Sequence, residues 1–326
     1  MHTLWAPPLL PGLASITNKS GVTYGEFRKT LTVNFFRIQL GIVCSFLSIF
    51  VILFLCNKTD NLYLLFFMSV SLALTQHRIL NVVHEGAHYL LSRSRKFNDA
   101  FCNFLAGWFV LCDVDQYRIT HVEHHRNLGS EFDPENAHME KLDLTWLVSL
   151  ISGFNTVRRI SVRNQARSNL GTRATAKPRH LVVPVIGILL HSLILLIIFN
   201  LLSFQTLVVW LFSTFFLTPA LGILRNLLEH KYVESVDSAI WYQILGRERP
   251  ADVVLNVTTR TFTKSLLSRL YGSMGFTRHL LHHWDPSISF SNLGEVHKFL
   301  LETPLEANLR KVDSTFSSTF IHLWRK

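Results

Sequence analysis

The chain alternates between long apolar runs and polar, basic segments. Four apolar runs are long enough to cross the hydrocarbon core of a membrane, which takes about 20 helical residues. They cover residues 38–56, 62–80, 181–199 and 204–223. The second run is the least regular, because its uninterrupted apolar part is short and leads into Gln76, His77 and Arg78. This pattern predicts an all-α integral membrane protein with four transmembrane helices.

Two further apolar segments, Phe101–Cys112 and Leu144–Phe154, are too short to span a membrane. We expect them to lie in the membrane interface or to dock against the spans. Residues Thr315–Lys326 are expected to form a loose terminus. No repeat of fixed period and no low-complexity tract divides the chain, so we predict a single membrane-embedded domain over residues 1–326.

Composition agrees with this pattern. Hydrophobic residues make up 48% of the 326 residues and charged residues only 17%, which is too apolar for an ordinary soluble domain. The first apolar run begins at Ile38 and is long enough to span, so no cleavable signal peptide is predicted. The four cysteines form no CxxC motif, which argues against a disulfide framework and a thiolate metal site.

The formal net charge of +10 is unevenly distributed along the chain. Lys58 is the one basic residue between the first two spans, and none lies between the last two. The loop Asn81–His180 carries 13 Lys and Arg, and the tail from Arg225 carries another 13. The positive-inside rule then predicts that both termini and this loop lie in the cytoplasm. We expect a multi-pass protein of a cell inner membrane or endoplasmic reticulum.

The basic stretch Val157–Arg179 has two interpretations. No acidic residue occurs between Leu144 and Leu228, which is a pattern that nucleic-acid sites also show. A position next to a membrane with anionic lipids explains the stretch better. We therefore predict a membrane partner and no nucleic acid.

The histidines are the main chemical signal. Nine of the 16 histidines fall into four groups, "HEGAH", "HVEHH", "NLLEH" and "HLLHH". They are His84, His88, His121, His124, His125, His230, His279, His282 and His283. Positions i, i+3 and i+4 share a helical face, so each group can direct its imidazoles to one point. With the predicted orientation, all nine lie on the cytoplasmic side.

Neutral imidazole is the commonest protein ligand for a transition metal. Nine imidazoles exceed the needs of one ion, and two ions with four or five nitrogens each would use them all. Iron, copper, nickel and zinc all suit such a site, and the ligand type does not choose among them. The cytoplasmic membrane setting favours a redox-active pair that acts on a lipid.

The order and spacing of these groups around four spans resemble those of the membrane fatty acid desaturases. "HEGAHYLLSRSRKFND" looks like the first histidine box of that family, and "YRITHVEHHRNLGSEFDPE" like the second with its acidic tail. "HLLHHWDPSISFSNLGEVHKFL" resembles the third box, and the resemblance covers most of the chain. Asn226, four residues before His230, matches the arrangement of acyl-CoA desaturases.

The resemblance implies a di-iron centre with O2 as co-substrate, in a cytoplasmic cap with interfacial helices. The nine histidines named above would be direct ligands, and Asn226 would reach one iron through water. No fused cytochrome b5 motif (HPGG) is present, so an external donor of the cytochrome b5 or ferredoxin type would supply electrons. The third box begins with His279 where front-end desaturases have Gln, and the second is HxxHH where alkane hydroxylases have HxxxHH.

Three residues outside the predicted ligand set also need an explanation. Glu123 and Glu229 lie inside histidine groups and are candidates to accept a hydrogen bond from a ligand imidazole. His191 lies in the middle of the third span. It is either functional, as intramembrane ionisable residues often are, or a neutral imidazole bonded to a neighbouring helix.

We therefore expect an oxygen-dependent desaturase that introduces a double bond into a fatty acyl chain or lipid. A hydroxylase, ketolase or related oxidase of a lipid, carotenoid or amphipathic metabolite is the alternative, because the spacing of the histidines does not separate these outcomes. A non-enzymatic membrane metal carrier or sensor is a third interpretation. A carrier places ligands along the spans at midplane depth, where only His191 lies.

Overall fold

The computed structural model of the protein describes residue 10 and residues 12–128, 132–135, 140–169, 178–231 and 259–325. Within these ranges the regular structure is helical, and β pairing is limited to two isolated bridges. The first ten α-helices in chain order are α1 (Tyr24–Thr30), α2 (Phe35–Cys56), α3 (Leu62–Ala87), α4 (Arg95–Cys102), α5 (Val114–Asn127), α6 (Leu144–Ile151), α7 (Phe154–Asn169), α8 (Val182–Leu201), α9 (Phe204–Phe212) and α10 (Thr218–His230). Shorter helices follow at Leu266–Tyr271, His279–Trp284, Leu293–Leu300, Glu306–Val312 and Phe316–Trp324. The predicted all-α class is confirmed.

Four helices in the described part of the chain are long and apolar enough to cross a membrane, as predicted. They are Phe35–Cys56, Leu62–Ala87, Arg179–Leu201 and Phe204–His230. The second and fourth extend well past the predicted ends at residues 80 and 223. A helix continues as long as its backbone hydrogen bonds are made, so it does not stop where the apolar run stops. As a result His84 lies inside α3 and His230 is the last residue of α10.

The chain divides into two compact units, and one of them contains Phe35–Thr120 and Leu144–Leu224. In it α2 packs on α3, and α8 on α9. Large side chains such as Phe50 (68% exposed) and Leu189 (64% exposed) remain uncovered, as expected for helix faces that contact lipid. The backbone N–H of Ser203 donates to Oδ1 of Asn57 at 2.6 Å, which ties together the two short turns between the long helices.

Within this unit, the segment Phe101–Cys112 docks against α8, which was one of its two predicted positions. It continues from α4 into a π-helical turn, Asn103–Gly107. A Cβ atom at Gly187 of α8 would overlap the carbonyl oxygen of Trp108, so glycine permits the close approach. The helix α6 leaves apolar side chains exposed, including Ile151 at 74%, which agrees with an interfacial location.

The other unit contains Met1–Asn34, His121–Asp143 and Arg225–Lys326. One apolar core joins N-terminal residues to the last third of the chain. Its buried members include Leu13, Tyr24, Leu281, Val296 and Leu309. The prediction of one domain over residues 1–326 stays a prediction.

The expectation of a loose C-terminus at Thr315–Lys326 is wrong. Phe316–Trp324 is a helix that begins with a capping box between Thr315 and Ser318. The ring of Phe316 stacks on Phe262 with centroids 3.8 Å apart. Burial of Phe316 supplies the stabilisation that a short helix lacks by itself.

Candidate metal centre

Seven of the nine predicted ligand histidines lie in the unit that contains the N-terminus and the last third of the chain. They are His121, His124 and His125 on α5, His230 at the end of α10, and His279, His282 and His283 on the helix His279–Trp284. All seven are buried. The spacing predicted that each group shares a helical face, and the structure brings the three groups together in one cluster.

The first set of converging nitrogens consists of His121, His125 and His282. Nε2 of His125 lies 3.1 Å from Nε2 of His121 and 3.2 Å from Nε2 of His282. Two atoms bound to one ion at about 2.1 Å are about 3.0 to 4.2 Å apart, depending on the angle between them. The three imidazoles therefore have the separation of ligands that share a metal ion.

The second set consists of His230, His279 and His283, with His124 beside them. Nε2 of His279 lies 3.2 Å from Nε2 of His230 and 3.1 Å from Nε2 of His283. The possible ligand atoms of His124, His230 and His283 all lie within 4.8 Å of one another. This set also has the spacing of a single ion's ligands.

The two sets are neighbours. The ring of His125, in the first set, lies 4.3 Å from the ring of His283, in the second, measured between centroids. Burial lowers the pKa values of His282 and His283 well below the ordinary value, and neighbouring histidines lower them further. The imidazoles of His282 and His283 are therefore neutral, which is the form that binds a metal. The residues present fit a pair of transition-metal ions.

His84 and His88 lie in the unit that contains the four long helices. His84 is in the last turn of α3 and His88 directly follows the helix, with their ring centroids 5.2 Å apart. Arg118, which is fully buried, donates to the carbonyl oxygen of Ala87 at 2.9 Å and to that of Gly86 at 3.1 Å. Arg118 thus adds a donor to carbonyl groups at the end of α3, where the Gly86 oxygen also accepts from the backbone N–H of Tyr89 and from Nδ2 of Asn98. That His84 and His88 are metal ligands stays a prediction.

Comparison with protein families identifies the chain. The model of the fatty acid desaturase family matches residues 61–314, which is most of the sequence. The chain belongs to the fatty acid desaturase family. With its long apolar helices, this makes it a membrane protein. Comparison with curated proteins gives no match.

In this desaturase-family chain, Asp133 is within hydrogen-bond distance of a predicted ligand. Its Oδ1 atom lies 2.8 Å from Nδ1 of His124, and both side chains are 1% exposed. The sequence interpretation chose Glu123 instead, because it lies inside the second box. The Glu123 carboxylate contacts Arg126 at 2.6 Å and Asn127 at 3.3 Å, so the proposed contact with an imidazole is wrong.

The acidic tail of the second box also reaches Asn226. Nδ2 of Asn226 donates to Oε2 of Glu135 at 2.5 Å. The same carboxylate lies 3.9 Å from Nδ1 of His121 and 4.0 Å from Nε2 of His124. Asn226 is therefore close to the cluster, as the family resemblance implied, although it donates to a carboxylate that the sequence interpretation had not considered.

Glu229, the other acid selected from the sequence, lies within the second set. Its Oε1 atom accepts a hydrogen bond from Arg225 at 3.3 Å, and its Oε2 atom lies 3.9 Å from Nε2 of His279.

His191, by contrast, has a structural partner. Its Nε2 atom lies 2.9 Å from the carbonyl oxygen of Phe109, which lets the ring donate a hydrogen bond to that backbone. Aromatic rings of Trp108, Phe109 and Trp210 surround it. This contact agrees with the second of its two sequence interpretations, in which the imidazole bonds to a neighbouring part of the membrane domain.

Proposed function

We propose that this member of the desaturase family is an oxidoreductase that introduces a double bond into a fatty acyl chain or lipid at a di-iron centre. The observation that carries the proposal is the pair of adjacent imidazole sets, each with Nε2 atoms 3.1 to 3.2 Å apart. A structural site that holds one ion with four ligands needs only one such set of imidazoles. Two sets favour a pair of ions.

The proposed ligands are those of the sequence resemblance. His121, His124, His125, His230, His279, His282 and His283 belong to the cluster described above, and His84 and His88 are retained from the sequence motif alone. When bound, two ferrous ions would supply the electrons and the site at which O2 is reduced. Overall, one O2, two hydrogens from neighbouring methylenes, two external electrons and two protons would give an alkene and two waters.

The protein's own contribution is orientation and exclusion of water. Asp133 accepts the Nδ1 proton of His124, which directs the lone pair of Nε2 in that ring to a ligand role. The imidazoles of the cluster are buried, so bulk water is kept from the reacting atoms. The same enclosure restricts which methylene of a substrate can reach the centre.

The membrane part supports an apolar substrate. A cavity of about 520 Å³ lies between α2, the π-helical turn and α8. Asn103 is the polar residue of its lining. The other lining residues are Phe46, Phe104, Leu105, Trp108, Val183, Ile186 and Leu190. We propose a multi-pass protein with its metal centre and both termini in the cytoplasm and an external cytochrome b5 or ferredoxin-type electron donor. The distribution of basic residues and the absence of HPGG from the sequence support these two points.

The experiment that tests this function is product analysis in a host that supplies acyl chains deuterated along their length. A desaturase gives a product that has lost two vicinal deuterons and gained no oxygen. A product that gains one oxygen and keeps the second deuteron would identify a hydroxylase and overturn the proposal. The control is His124→Ala, in which neither product should form.

A further inference from the structure

The second imidazole set contains a carboxylate oxygen with an unusual environment. The residue Glu229 is 1% exposed. Its Oε2 atom is buried and has no hydrogen-bond partner among the described residues. A buried carboxyl oxygen without a partner is costly, and a bound cation would compensate it. Its close neighbours of ligand type are imidazole nitrogens: the ligand atoms of Glu229, His230 and His279 lie within 4.8 Å of one another.

The distance to His279 fits a shared ion. Oε2 of Glu229 lies 3.9 Å from Nε2 of His279, too far for a hydrogen bond. It is inside the range of about 3.0 to 4.2 Å expected for two atoms that bind one ion at about 2.1 Å. His230 and His283 lie 3.2 and 3.1 Å from the same nitrogen, within that range too.

Asp133 provides a comparison within the same cluster. Its carboxylate lies 2.8 Å from Nδ1 of His124, the ring nitrogen that faces away from a metal when Nε2 is the ligand. Glu229 instead lies on the Nε2 side of His279 and at a longer distance. Asp133 therefore has the geometry of a residue that orients a ligand, and Glu229 has that of a ligand.

The other oxygen of Glu229 is held in place by Arg225, one helical turn earlier on α10. Arg225 donates to Oε1 at 3.3 Å, and its guanidinium lies 3.5 Å over the ring of Phe276. Phe276 in turn stacks on His279 with centroids 4.8 Å apart. This chain of contacts fixes the carboxylate on the side of His279 where Oε2 faces the imidazole nitrogens.

We propose that Glu229 is a carboxylate ligand of the ion held by His230, His279 and His283. The second site would then combine nitrogen and oxygen donors, whereas the ligands implied by the resemblance are histidines and a water next to Asn226. This inference rests on the proposed di-iron function. It adds a carboxylate to the histidine ligands that the resemblance implies.

The test compares iron binding by the full-length wild type, Glu229→Gln and Glu229→Asp, purified in mild detergent and loaded with ⁵⁷Fe(II). Glu229→Gln should bind one of its two irons at least about 100-fold more weakly, since loss of a residue that merely orients a ligand costs about 10- to 100-fold. The Mössbauer signal of that iron should change while the other signal stays. Glu229→Asp keeps a carboxylate, so its affinity should lie between those of the wild type and the glutamine variant. The matched control is Glu123→Gln, because the Glu123 carboxylate bonds to Arg126 and Asn127 and to no imidazole among the described residues.

Infrared difference spectra give a second measurement. Wild-type protein labelled with ¹³C at the glutamate carboxylates should show a carboxylate band that shifts when iron is added, and Glu229→Gln should lack this band. Two irons with unchanged affinity and spectra in Glu229→Gln would overturn the proposal and leave the di-iron function standing. If Glu229→Gln does not fold, the iron affinity of the wild type is compared with that of Glu229→Asp. Equal affinities would overturn the proposal. Wild-type protein that binds no iron would instead refute the proposed function.

Discussion

Asp133 and His124 form a buried carboxylate–imidazole pair, with Oδ1 and Nδ1 2.8 Å apart. The two residues are nine positions apart, and the intervening segment begins with the end of α5. Such a pair sets which ring nitrogen carries the proton and makes the other a stronger ligand. Asp133 is therefore the first residue to test outside the histidines.

Replacement of Asp133 by Asn should weaken iron binding by about 10- to 100-fold, because the amide no longer provides an anionic acceptor for the Nδ1 proton. The measurement is iron per chain as a function of free Fe(II). Glu123→Gln on the same segment is the control, and it should bind iron as the wild type does. Equal affinities of Asp133→Asn and the control would show that the pair does not support a metal.

Removal of metal should destabilise the wild type, because a metal ion would bind the folded cluster and not the unfolded chain. A ligand present at about 1,000 times its dissociation constant stabilises a protein by about 4 kcal/mol. A chelator should therefore lower the thermal unfolding temperature of the iron-loaded protein. In His282→Ala the chelator should have a smaller effect, because Nε2 of His282 belongs to the first set.

The matched control for His282→Ala is His191→Phe. His191 donates to the carbonyl oxygen of Phe109 and is no part of the imidazole cluster, so the chelator effect should be kept. His191→Phe should lower the free energy of unfolding by about 1 kcal/mol, which is typical of one hydrogen bond in a membrane protein. Loss of iron from His191→Phe would contradict the structural role assigned to this residue.

Tyr24 should stabilise the unit that contains the imidazole cluster. It is fully buried, and its hydroxyl donates to Oδ2 of Asp285 at 3.0 Å. Asp285 follows the fourth histidine group by two positions and also binds Arg28 at 2.7 Å. Tyr24→Phe should lower the free energy of unfolding by about 1 to 2 kcal/mol. Chemical or thermal unfolding in detergent measures this, and the exposed Lys29→Ala on the same helix should change it by less than about 0.5 kcal/mol.

Gly187 should be intolerant of even one extra methyl group. A Cβ atom there would overlap the carbonyl oxygen of Trp108, and a backbone atom in a packed turn cannot move away cheaply. Gly187→Ala should destabilise by about 1 to 3 kcal/mol. At Gly222 the nearest atom to an added Cβ is 3.8 Å away, on His77, so Gly222→Ala should be neutral or slightly stabilising. Similar unfolding temperatures for the two variants would contradict this packing argument.

The membrane orientation can be tested with single cysteines in a background that lacks the four native ones. Lys58 and Asn164 are both exposed. An impermeant thiol reagent added to intact cells should label Lys58→Cys and leave Asn164→Cys unlabelled, because basic residues concentrate in the segment around Asn164. Asn164→Cys should become reactive after permeabilisation. Labelling of Asn164→Cys in intact cells would reverse the proposed topology.

The sequence by itself determined the features that depend on local spacing. Apolar runs of sufficient length predicted the four long helices, because crossing a hydrocarbon core requires every backbone group to bond within its own helix. The i, i+3 and i+4 spacing of His121, His124 and His125 predicted a shared helical face, since that spacing follows from helix geometry alone. The family could be inferred from the order of these motifs.

Only the tertiary structure decided which residues become partners. Nε2 of His282 lies 3.2 Å from Nε2 of His125 although 157 positions separate the two residues. No local sequence pattern extends over so long a separation. The sequence favoured Glu123, which lies inside the second box, but Glu123 contacts Arg126 and Asn127, whereas Asp133 reaches His124. Hydrogen bonds form only over a few ångströms, so the choice between two nearby acids depends on backbone positions that the whole fold sets.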